Sequence, residues 1–131
     1  MHDELKIEMI PVSNLKHIES FSPKRVNWLK DKILKEGVWR KPLSLDMEHY
    51  LVLDGQHRME VAITLGLKFV PAVKYDYAAV KLWSLRKKYE FDWKVVVERA
   101  LEDNIYPYKT VKHMFTGEVP PCHYPLDELY L

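Results

Sequence analysis

One stretch limits the folds open to this chain more than any other. Tyr50 to Leu53 is a short apolar run cut off by Asp54-Gly55, and residues at helical spacing follow at once. Met59, Ala62 and Ile63 fall on one stripe, Val61 and Leu65 lie beside it, and Gly66 supplies the stop. Strand, glycine turn, helix is the reading, and it requires a sheet with a helix packed on it. Pro42 to Leu45 precedes this strand across Asp46-Met47-Glu48-His49, which suits a hairpin. Ser22-Pro23 supplies a cap and a first-turn proline, after which Val26, Leu29, Ile33 and Leu34 recur at helical spacing up to Gly37. Lys6 to Val12 reads as a strand, and the aperiodic Ser13 to Ser22, which contains Glu19, as a loop. Phe69 to Val73 is a strand that Pro71 assigns to an edge or a bulge, and Ala79 to Trp83 is another. A third helix runs from Asp92 through Trp93, Val97, Ala100 and Leu101, and the tail from Tyr106 ends in a helical turn at Leu126 to Leu131. The fold class is therefore α+β, α/β-like in its alternation: a small mixed β-sheet flanked by helices.

The 131 residues, 47% hydrophobic and 30% charged, fit one compact domain spanning 1–131. Twenty Lys+Arg against nineteen Asp+Glu leave a net charge of +1. That balance argues against a nucleic-acid partner and confines any anion site to a local cluster. The lone Cys122 excludes an internal disulfide framework and suits the cytoplasm. No apolar run approaches the ~20 residues of a membrane span, and the acidic start Met1-His2-Asp3-Glu4 lacks the features of a signal peptide. The six histidines show no zinc-like pairing, so no metal site is expected from side chains alone. Trp28, Trp39 and Trp93 are expected in the core or at its rim, with Trp83 free to wall a ligand pocket.

Three groups carry possible chemistry. In Asp54-Gly55-Gln56-His57-Arg58, glycine permits close backbone approach and the first-turn N–H groups favour an anion, while Arg58 and His57 add donors. The same residues also read as a plain N-cap at Asp54 with solvated basic side chains. Basic residues oppose the helix dipole there, which tilts the balance toward a bound phosphate. In Tyr106-Pro107-Tyr108-Lys109-Thr110-Val111-Lys112-His113, lysines and a hydroxyl could clamp phosphate or carboxylate oxygens, although a Lys-rich loop is more often simple surface. Glu19 is a general base only if partly desolvated.

Taken together, Leu51-Val52-Leu53-Asp54-Gly55-Gln56-His57-Arg58 and Met59 to Gly66, approached through Ile10 to Leu15 and Glu36-Gly37-Val38-Trp39-Arg40-Lys41-Pro42-Leu43, resemble the ParB/sulfiredoxin superfamily. Sulfiredoxins place a catalytic cysteine directly before the His-Arg pair, where this chain has Gln56, and DNA-partition proteins carry a helix-turn-helix module for which the chain leaves no room. Val80 to Arg86, Arg99-Ala100-Leu101 and the Lys109-Thr110…His113 run are similar to the branch that phosphorylates free L-serine. That resemblance implies a phosphotransferase using Mg²⁺ with ATP or ADP on a small hydroxy amino acid. It implies catalytic roles for Glu19 and Asp54, nucleotide-phosphate contacts from Gly55, Gln56, His57 and Arg58, and substrate contacts from Trp83, Lys109, Thr110 and His113. The family usually has histidine where Gln56 stands. The competing expectations are a nucleotide-binding regulatory or DNA-associated module without kinase activity, and an accessory subunit acting on a partner's substrate.

Overall fold

The computed structural model describes residues 5–131, so the acidic start at residues 1–4 lies outside the described residues. In chain order the elements are β1 (Glu8–Pro11), β2 (Lys16–His17), α1 (Pro23–Glu36), β3 (Val38–Trp39), β4 (Leu43–Asp46), β5 (Leu51–Asp54), α2 (Gln56–Leu65), β6 (Phe69–Tyr75), β7 (Lys81–Ser84), α3 (Trp93–Leu101), β8 (Val111–Met114), β9 (Tyr124–Pro125) and α4 (Leu126–Leu129). Single 3₁₀ turns occupy Val12–Asn14 and Tyr77–Ala79. The main sheet has five strands in the order β1-β6-β4-β5-β2, and it mixes parallel with antiparallel pairs as expected. The pairs β3–β9 and β7–β8 lie apart from it.

Side chains alternate across a strand, and two cores result. Val52, Val70 and Ala72 face a cluster with Val26, Ile33, Met59, Val61 and Leu129. Leu51, Leu53, Val73 and Tyr75 face the other, with Val96, Ala100, Tyr106 and Val111. Burial on both faces accounts for the unbroken apolar run of β5.

The hairpin between β4 and β5 is organised by Asp46. This buried carboxylate accepts hydrogen bonds from the Glu48, His49 and Leu51 backbone N–H groups. Ser22 caps α1 by accepting from Arg25 N, and Gly37 ends it in the left-handed region at φ 71°.

Several expectations are corrected. Leu34 and Ile63, expected on apolar stripes, are exposed, because each helix buries a narrower face than its apolar residues suggest. Part of the segment expected as loop forms β2, which pairs in parallel with β5. Ala79 belongs to a 3₁₀ turn, so β7 begins later, at Lys81. The tail contains β8, which pairs with β7. Pro71 lies on an interior strand rather than an edge. The Val12 N–H to Lys68 O bond makes Met9↔Pro71 a non-hydrogen-bonded pair, so the missing N–H faces the β4 side, where pairing begins only at Leu43↔Ala72. Finally, Trp39 is buried and Trp93 half-buried, but Trp28 is 57% exposed. Among the described residues no helix is long and apolar enough to cross a membrane.

Candidate active site

A cleft of about 910 Å³ opens beside the β5–α2 turn. Its walls bring together Glu19, Asp54, Gly55, Gln56, His57, Arg58, Lys109 and His113, residues up to 94 positions apart (113 − 19). One face of α1 closes the far side: Arg25, Trp28, Leu29, Lys32, Ile33 and Glu36 recur at helical spacing, and all of them line the cleft. Seven of the lining residues are Lys or Arg and three are Asp or Glu, a formal excess of +4 (7 − 3) in a chain whose total is +1. The positive field is local, as an anion site in a near-neutral chain must be.

At the turn, Gly55 and not Asp54 is the N-cap of α2, and no side chain caps the helix. The plain-cap reading of Asp54 therefore fails. Gly55 sits at φ 113°, and a Cβ there would meet Leu43 Cδ2 at 2.6 Å and Arg58 Nη2 at 3.3 Å. Only glycine allows this backbone to pass so close to Leu43 and Arg58.

Asp54 points outward, with its Oδ2 3.7 Å from Arg58 Nη2. Arg58 is largely buried and donates from Nη1 to the carbonyls of Lys41 and Pro42, which ties the β3–β4 bend to α2. His57 Nε2 accepts from the Ser22 backbone N–H, leaving Nδ1–H as its available donor. Burial and the nearby Arg25 charge hold His57 below its usual range, consistent with a neutral ring.

Glu19 follows β2 and bridges to Tyr106. Its Oε2 accepts from the backbone N–H groups of Thr110, at 2.8 Å, and Val111, at 3.0 Å. Lys109, held at φ 55°, turns the chain so that both N–H groups converge on this one oxygen. Burial raises the Glu19 carboxyl above its ordinary value, and the two backbone hydrogen bonds only partly oppose that rise. His113 is held by Tyr77, whose hydroxyl lies 2.8 Å from its Nε2, and its ring faces the Leu53 backbone. Burial pushes it down to about 4.

Two expected substrate contacts do not line the cleft. Thr110 is fully buried with its hydroxyl donating to Pro107 O, so its backbone rather than its side chain serves the site. Trp83 is 43% exposed on β7, outside the lining. Gln56 lines the cleft, but its side chain is buried and engaged with His17 and the Val52 carbonyl. Sequence reasoning missed Trp28, His17 and Tyr77. An exposed aromatic at helical spacing with Leu29 and Ile33 looks like core, and nothing local marks the other two.

No family model matches the chain. In sequence it is 38% identical over 73 residues to an ATP-dependent L-serine kinase of Staphylothermus marinus, a match covering 53% of this chain and 29% of that protein. It is 26% identical over 128 residues to the ATP-dependent L-serine kinase SbnI of Staphylococcus aureus, covering 94% of this chain and 48% of that one. The chain thus spans half or less of the length of these curated relatives. In three dimensions it is similar to a free serine kinase solved in complex with AMP, with a TM-score of 0.88 over 97% of this chain and 95% of that chain at 14% identity. The resemblance to the free-serine-kinase branch is borne out in sequence and in fold, and the α+β sheet with flanking helices is the fold expected of it.

Proposed function

We propose that this chain transfers the terminal phosphoryl group of a nucleotide to the hydroxyl of free L-serine or a similarly small hydroxy amino acid. The observation that carries the proposal is the pairing, in one electropositive cleft, of an uncapped helix N-terminus with a desolvated glutamate fixed by two backbone N–H groups. The similarity to ATP-dependent L-serine kinases supports the choice of acceptor.

The phosphates would lie against the first-turn N–H groups of α2 and the Nδ1–H of His57, with Lys109 and Lys112 offsetting their charge. Glu19 Oε2 is occupied, and Oε1 takes no hydrogen bond among the described residues, so Oε1 is free to receive a proton. The serine Oγ attacks the terminal phosphorus in line. The new O–P bond forms as the bridging P–O bond breaks, the Oγ proton passes to Glu19, and the nucleotide leaves one phosphate shorter. A carboxyl held above its ordinary value is a stronger base than a surface carboxylate.

No group of three metal-ligating side chains gathers among the described residues. The outward Asp54 carboxylate, only loosely paired to Arg58, fits the usual Mg²⁺ arrangement of one carboxylate plus nucleotide phosphates. When bound there, Mg²⁺ neutralises phosphate charge. The nucleoside would extend along the α1 face, where Trp28, Leu29 and Ile33 offer aromatic and apolar surface. A cytoplasmic setting supplies both substrates.

The test is phosphorus NMR of the protein with Mg²⁺, ATP or ADP, and a panel of free hydroxy amino acids. A new phosphomonoester signal that requires L-serine is the expected result. Nucleotide binding without turnover across the panel would make the chain a nucleotide-binding module instead.

A further inference from the structure

Two residues before Glu19, the His17 side chain is only 15% exposed and packs against the first turns of α2. Its Nδ1 lies 2.6 Å from Gln56 Oε1, and its Nε2 lies 2.7 Å from Glu60 Oε2. The Gln56 amide has one sensible orientation, because its Nε2 donates to the Val52 carbonyl on β5. Its oxygen must therefore face His17. Both ring nitrogens of His17 thus have a partner on α2. Phe21 covers the ring at 5.1 Å, His57 is the next titratable group on α2, and Lys16 and Asp103 lie to one side.

Among the described residues, backbone-to-backbone hydrogen bonds tie the segment around Glu19 to β5 and to Tyr106, and none of them reaches α2. β2 is two residues long, and His17↔Val52 is its last pair. Beyond it, Tyr106 N–H donates to Ile18 O and Ser20 N–H donates to Tyr106 O. Glu19 thus stands two residues beyond His17, whose side chain supplies a link from this segment to α2.

We propose that His17, Gln56 and Glu60 are positioning residues: the chain of hydrogen bonds from β5 through Gln56 and His17 to Glu60 fixes Glu19 relative to the phosphate-binding turn. The proposal rests on the kinase reading only for its effect on rate. It assigns the Gln56 side chain to this link, leaving its backbone N–H for the anion. Glutamine suits the position because one planar group supplies both the donor for Val52 O and the acceptor for His17.

The test is Gln56→Met, similar in size but without the amide, alongside Glu60→Gln, which keeps an acceptor. Hydrogen exchange at the Thr110 and Val111 amides reports whether Glu19 still holds them, whatever the activity. Gln56→Met should accelerate that exchange at least about tenfold while Ile10 and Val70 on the far strands keep their protection. In turnover it should lower kcat at least about tenfold with the nucleotide KM within about threefold. Glu60→Gln should show the same pattern more weakly. Unchanged Thr110 and Val111 exchange, or acceleration across the whole sheet, would overturn the positioning role. If the wild-type protein shows no turnover, the kinase reading fails and the exchange measurement still decides this one.

Discussion

The two walls of the cleft are built by opposite means. The β5–α2 turn is local: residues 54–58 carry the strand end, the glycine, the uncapped N–H groups and the basic side chains in consecutive positions. The facing wall is assembled from afar, since Glu19 is held by Thr110 and Val111 and His113 is held by Tyr77. A local site depends on the conformation of one turn, whereas a distant assembly depends on the packing of several elements. The first wall cradles the anion, the second carries the proton acceptor and adds Lys109 and Lys112 to offset phosphate charge, and cradle and proton acceptor can be broken separately.

The largest effect should come from the assembled wall. Glu19→Gln keeps an acceptor for the two N–H groups but cannot take a proton, so kcat should fall by about 10²–10⁴. Because burial raises the Glu19 carboxyl, wild-type kcat should rise with pH along a limb lying above the ordinary carboxylate range. Acid should also weaken this wall. His113 is held down to about 4 from an ordinary 6.5, so the unfolded chain binds the proton first as pH falls. Stability is then whole above pH 6.5 and declines by about 3 kcal/mol by pH 4. Chemical denaturation at several pH values should show that decline in the wild type and a flatter curve in His113→Gln.

The local turn and the α1 face beside it predict smaller changes of a different kind. Gly55→Ala forces a residue with a Cβ into φ 113° against Leu43. It should cost about 1–3 kcal/mol in thermal or chemical denaturation and weaken binding of tripolyphosphate. Trp28→Ala should weaken ADP about tenfold and leave tripolyphosphate, which has no base to stack, within about twofold. Equal loss of both ligands would place Trp28 beside the phosphates instead.

How legible each part was in the sequence follows the same division. The helix from Ser22 to Gly37, the hairpin about Asp46 and the strand-turn-helix at Gly55 are set by neighbouring residues, and each is present where periodicity and turn chemistry place it. Pro71 misled because its ring tolerates an interior strand when its N–H position falls outside the ladder, which depends on the register of two partners. Leu34, Ile63 and Trp28 misled because apolar spacing marks a helix without fixing how wide a face the rest of the fold covers. At the site, family resemblance pointed to Glu19, but its two backbone donors lie 91 and 92 residues away and leave no local signal. The Thr110 hydroxyl and Trp83 looked suited to a ligand by residue type, yet burial of one and displacement of the other keep both off the cleft wall.

The division of labour is tested most directly by calorimetric titration of Mg²⁺-ADP into the wild type, Glu19→Gln and Gly55→Ala. The account predicts that Glu19→Gln binds within about threefold of the wild type, or more tightly because a negative charge is gone, while Gly55→Ala binds at least about tenfold more weakly. Loss of affinity in Glu19→Gln equal to that in Gly55→Ala would contradict it, because the two walls would then be acting as one binding site.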